Sequence, residues 1–149
     1  MVGKILAGAL FGVIALAATS HVHAQANINE KRQQAMKDLS AANKAIKAAV
    51  EEKNYATVEA KAKDVMGTAD KIVSLFPAGS TTGKTKAKPE IWEKSDDFGK
   101  AAKNLSKAAG ELISAAKAGD ESAVSAKLKA LGDTCGACHK PFRAEKYGE

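Results

Sequence analysis

Leu131-Gly132-Asp133-Thr134-Cys135-Gly136-Ala137-Cys138-His139-Lys140-Pro141-Phe142-Arg143 closes a segment in which Val124, Leu128, Leu131, Cys135, Cys138 and Phe142 recur at steps of three and four. That period is the signature of one face of an α-helix, so both cysteines are expected on the seam that the helix turns toward its neighbours. Immediately upstream, Gly119 and Asp120 supply a stop for one helix and a cap for the next.

The same period extends through the rest of the chain. Phe98, Ala101, Leu105, Ala108, Leu112 and Ala116 form the stripe of a preceding helix. Ser95 is expected to cap it, with Asp96 and Asp97 suiting the positive end of its dipole. Before it, residues 78–89 are rich in Gly, Ser, Thr and Lys and lack periodicity, which predicts a loop long enough to cross the end of a bundle. Pro89 to Trp92 reads as a short turn. Tyr55, Val58, Ala62, Val65, Ala69, Ile72 and Phe76 mark a helix capped by Asn54 and stopped by Pro77. Ile28, Ala35, Leu39, Ala42, Ile46 and Ala49 mark another, running to about Lys53, whose start is suggested by the capping-box spacing of Asn27 and Glu30. Strand signals are nearly absent. The expected fold is all-α: an antiparallel up-down-up-down four-helix bundle, crossing at ~20°, with its site among facing side chains.

Residues 1–24 read as a cleavable signal peptide. Lys4 gives a positive start, residues 5–18 an uncharged, mostly apolar run, and Val22-His23-Ala24 a small-residue cut site. The run is shorter than the ~20 residues of a spanning helix, and no later stretch is apolar enough to span. Residues 25–149 then form one domain in an exported, periplasmic compartment, with 22 basic residues against 17 acids. That excess favours encounter with partner proteins bearing acidic patches. Nucleic acid is not indicated, because the lysines are scattered and aromatic residues are scarce. Alanine supplies 25 of the residues after position 24. Such small side chains bring helix axes close but fill little volume, so a flat, bulky prosthetic group would complete the core.

Three chemistries compete for Cys135, Cys138 and His139. A thiol-redox pair usually opens a helix in a βαβ setting, whereas this pair lies late in a helix with no strands. A structural zinc site takes four ligands, and His139 is the only histidine once His21 and His23 leave with the leader. A disulfide between residues three apart closes a small ring, constrains the unfolded chain little and leaves His139 unexplained. Covalent haem uses all three residues: the thiols add to the vinyl groups, and the imidazole ligates iron. At i, i+3 and i+4 they project from one helix face. A single haem c is therefore the expected cofactor. An enzyme active site finds no support, since no second histidine or free thiol remains.

These residues resemble the class II cytochromes c, which comprise the cytochromes c prime and their methionine-ligated low-spin relatives. The likeness spans the whole of residues 25–149, most specifically Lys88 to Trp92 and Gly132 through Arg143. Family members share an arginine at the position of Arg32, and the residue four places later, here Met36, faces the distal side of the iron. In five-coordinate members that position is usually apolar and leaves iron open to small gases. A thioether there is a soft donor that raises the potential. The resemblance thus implies the low-spin branch: a single-electron carrier with His139 and Met36 as axial ligands from opposite sides. Met66 is a rival thioether, and Met36 as plain core filling is the bland alternative. The same resemblance implies that Arg32 helps hold a haem propionate, that Trp92 packs near the haem edge, and that dimers form through helix surfaces. The competing expectation is a gas-binding cytochrome c prime, which takes nitric oxide or carbon monoxide at an open distal site.

Overall fold

The computed structural model describes residues 12–147, with side-chain environments from residue 27 onward. The proposed leader, 1–24, has its first eleven residues outside that span, and its cleavage site lies where no side chain is described. Five helices follow in order: α1 Gly12–Glu51, α2 Tyr55–Ile72, the single turn α3 Glu90–Glu93, α4 Ser95–Ala118 and α5 Glu121–Phe142. The four long ones form the expected bundle, with α2 between α1 and α4 and α5 packed on α4. No helix among the described residues is long and apolar enough to cross a membrane.

Local chemistry sets most of the boundaries. Asn54 Oδ1 accepts from Thr57 N–H at 3.1 Å and opens α2. That helix tightens into a 3-10 turn, Val73–Leu75, before Pro77. Gly119 takes a left-handed φ of 68° to close α4, a conformation that costs a glycine nothing. Asp120 Oδ1 then accepts from Ala123 N–H at 2.9 Å and starts α5.

Four expectations need correction. Ser95 is the first residue of α4 rather than its cap: Lys94 occupies the capping position without a side-chain bond, because α3 turns directly into α4. Asn27 and Glu30 do not begin a helix, since α1 is continuous through them and no proline or glycine interrupts it there. The inward face of α1 is also rotated: Asn29 and Arg32 are buried, while Ile28 and Ala35 are half-buried. In α4 the seam takes Ala102, Ala109 and Ile113, leaving Ala101 and Ala108 at its edge.

Ile46, Val58, Leu112, Val124 and Leu131 are the largest fully buried side chains. Buried Ala62, Ala69 and Ala109 sit among them, so the helices approach closely. At the end of the bundle that carries the cysteines, Phe98 meets Phe76 and Phe142 edge-on, at centroid distances of 5.0 and 5.2 Å. The crossing loop is tied there to the C-terminal tail by the bridge between Ala87 and Arg143. Lys88 N–H donates to Phe142 O at 3.0 Å, and Ala144 N–H donates to Lys86 O at 2.8 Å.

Candidate cofactor site

A cavity of about 320 Å³ opens where α1, α4, α5 and the crossing loop meet, within the size range of small-molecule and cofactor sites. One wall is the last turns of α5, with Cys135, Cys138 and His139 all facing the cavity. Arg32 and Met36, one helical turn apart, line it from α1. Ile72, Ile91, Phe98, Ala102, Leu105 and Phe142 make its floor apolar. Met36 is half-buried and packs against the core.

The donor set suits the expected cofactor. Two thiols and an imidazole on one helix face adjoin an apolar cavity, as attachment and axial ligation require. Both cysteines are unpaired and half-buried, not fully buried as the seam predicted, because they border the cavity. Burial pushes both thiols up, and the neighbouring Cys135 adds to the effect on Cys138. Neither is the stabilised thiolate that a thiol oxidoreductase needs. His139 remains partly exposed, yet desolvation and then the charge of Arg143 hold its imidazole below the usual histidine range. That favours the neutral form a metal binds. Among the described residues no group of three His, Cys, Asp or Glu side chains is arranged to hold a metal ion by itself.

Arg32 is 5% exposed and bonds mainly to the chain around it. Its Nε donates to Leu75 O at 2.6 Å, and its Nη1 to Asn29 Oδ1 at 2.8 Å and to Ser80 O at 3.0 Å. Nη2 donates to Ser80 Oγ. Its guanidinium also lies over the rings of Phe76 and Trp92, at 4.3 and 5.7 Å. Burial pulls its pKa down to about 10, which leaves it charged at neutral pH. Trp92 stands beside Phe76 at 6.3 Å, behind the cavity lining, and its indole N–H donates to Phe76 O and Pro77 O at 3.1 and 3.0 Å. Met66 packs against the core away from the cavity lining. Sequence reasoning missed Asn29 and Ser80; the available signal was a polar pair, Asn29 and Arg32, three residues apart where an apolar stripe was expected.

A four-helix bundle whose last helix presents two thiols and an imidazole to a cavity near its C-terminal end defines the class of bundle-type c cytochromes. The Cytochrome C' family model matches residues 27–143, and the chain belongs to that family. Cytochrome c' of Rhodospirillum rubrum is 45% identical over 85 residues, a match covering 56% of this chain and 58% of that protein. Cytochrome c-556 of Agrobacterium tumefaciens strain II Chrys is 35% identical over 120 residues, covering 78% of this chain and 97% of the relative. A solved cytochrome c' described for a ligand-controlled dissociation of its dimer superposes with a TM-score of 0.73 at 31% identity, over 81% of this chain and 97% of that one. The cofactor of this family is covalently bound haem c. The narrower expectation of a methionine-ligated low-spin member is not carried by these likenesses, because the matched family is that of the cytochromes c'.

Proposed function

We propose that this chain is a periplasmic haem c protein that binds nitric oxide or carbon monoxide at the distal side of its iron. Cys135 and Cys138 would form the thioether links and His139 the proximal ligand. The distal ligand would enter the apolar space between α5 and the α1 wall. The observation that carries this reading is that space itself, bordered by the attachment residues and floored by apolar side chains. Membership of the cytochrome c' family supports it, as does the ligand-controlled behaviour of one relative. An exported location follows from the signal peptide read in residues 1–24. A homodimer that responds to ligand is the corresponding assembly, by likeness to the same relative.

A second reading keeps the iron closed and makes the protein a single-electron carrier, docking acidic partners. It rests on Met36, whose thioether-bearing side chain lines the cavity from α1 while His139 lines it from α5. Ferric and ferrous absorption spectra, followed by carbon monoxide addition, separate the two. Ready carbon monoxide uptake by a high-spin protein is the expected result. A low-spin spectrum, indifferent to carbon monoxide and turned high-spin by Met36→Leu, would replace the gas-binding reading with the electron carrier.

A further inference from the structure

Lys37, Lys84, Arg143 and Tyr147 are exposed and all line the cavity, so they stand at its mouth, with half-buried Lys86 beside them. Charge on this face is segregated from charge elsewhere. The ion pairs among the described residues join other lysines to carboxylates, and none includes Lys37, Lys84, Lys86 or Arg143. No aspartate or glutamate lines the cavity. Placing both carboxylates of a haem c against this rim, and leaving Arg32 out of the count, still sets four cations against two anions. The face therefore stays positive with the cofactor bound.

Tyr147 sits among these charges, 51% exposed, with the Lys84 and Lys86 ammonium groups 5.4 and 4.9 Å from its ring. The backbone that presents them is held in shape. Ala87 and Arg143 form a bridge, Ala144 N–H donates to Lys86 O at 2.8 Å, and Lys86 Nζ donates to Glu145 O at 2.6 Å. Side chains on an ordered backbone lose less freedom when a partner docks.

We propose that this cationic rim, with Tyr147 among its lysines, is the docking face for an acidic protein that delivers single electrons to the haem. The proposal rests on the haem reading and holds whether Met36 or a gas occupies the distal side. The partner's carboxylates meet the rim, and the tyrosine ring supplies an anchor that charge alone does not. Docking there sets the partner against the cavity: one electron leaves the partner, ferric iron becomes ferrous, and no bond forms or breaks. A membrane surface suits the face less well. Val73 and Tyr147 are the large apolar side chains well exposed among the described residues, and Val73 does not line the cavity, so the rim has little to insert among lipid chains.

The test uses the holoprotein with a plant-type ferredoxin, an acidic one-electron protein, as probe. Calorimetry reads the dissociation constant of the oxidised pair, and stopped-flow absorbance reads the rate at which the reduced probe reduces ferric haem. The double variant Lys84→Gln, Lys86→Gln is expected to weaken both about tenfold at low salt, and the difference should shrink to about twofold or less at high salt. Lys37→Glu changes the net charge equally from α1, outside the pairing of loop and tail, and is expected to weaken both about fivefold. It decides the matter if the double variant does not fold. Tyr147→Ala is expected to weaken binding about threefold with the salt dependence kept. Lys103→Glu places the same charge change on an exposed position of α4 away from the cavity lining, and both readouts should stay within about twofold of the parent. Equal effects of Lys103→Glu and the rim variants would assign the response to net charge and overturn the proposal. Rim variants that change neither readout, the result if haem carboxylates neutralise the rim, overturn it too. So does cosedimentation with phosphatidylglycerol vesicles that Lys37→Glu abolishes while both ferredoxin readouts stay unmoved, which would assign the face to a membrane. Colourless protein after export overturns the haem reading and this proposal with it, whereas coloured protein with unmoved rim variants overturns this proposal alone.

Discussion

Gly83 holds a φ of +86°, and a β-carbon on it would stand 2.9 Å from Asn29 Nδ2, the atom that donates to Thr82 O. Gly83→Ala would combine a left-handed backbone penalty with displacement of a buried amide, together about 1–3 kcal/mol. The melting temperature should fall by roughly 4 °C or more, measured by circular dichroism; an unchanged melt would show that the Asn29 latch gives way freely. At this scale the sequence exposed the candidate cofactor donors. Cys135, Cys138 and His139 lie within five consecutive residues, so their geometry is a property of one helix. Met36 and Arg32 were found only through resemblance, and the structure brings both to the cavity. Asn29, Ser80 and Gly83 were not legible, because their partners lie about fifty residues away across a loop without periodicity.

Among the elements, α5 depends on Asp120 in two ways: its carboxylate accepts the Ala123 N–H, and its charge lies at the positive end of the dipole. Asp120→Ala should cost about 1 kcal/mol, read as a lower denaturant midpoint with an unchanged slope. An unchanged midpoint would mean that packing of Val124 and Leu131 alone fixes the start of α5. The caps at Asn54 and Asp120 and the stop at Gly119 were readable from sequence because each involves neighbours within three residues. The phase of α4 was less legible: Ala101-Ala102 and Ala108-Ala109 are adjacent pairs of equal hydrophobicity, and only packing against α2 and α5 chooses between them. The start of α1 failed for a related reason. A capping-box spacing is a permissive signal, and the absence of proline and glycine from residues 13–26 before it lets the helix continue.

For the whole molecule, the ion pairs lie on outer faces and contribute little. The Lys127 ammonium hydrogen-bonded to Glu111 holds that carboxyl below the usual range, but on an exposed surface this has small effect on stability. Cohesion therefore rests on an alanine-rich core and on whatever fills the cavity beside it. The double variant Cys135→Ala, Cys138→Ala removes covalent attachment, and its melting temperature should drop by about 10 °C or more, with broader transition and increased dye binding to apolar surface. A sharp, cooperative melt of the colourless variant would show that the helices pack fully without the cofactor. The bundle was legible as a whole because its periodicity is local, while the cavity arises where four segments converge and only the folded chain defines it.

The crossing between α2 and α4 is a long connection with little regular structure, the sort of segment that proteases cut first. Here it is pinned twice, at Leu75 to Thr82 by Asn29 and Arg32, and at Lys86 to Lys88 by the tail after Phe142. A protease must draw several successive residues into an extended strand inside its own cleft. Between the two moorings too few residues are loose to be threaded in that way, so the segment is guarded against nicking by attachment rather than by burial.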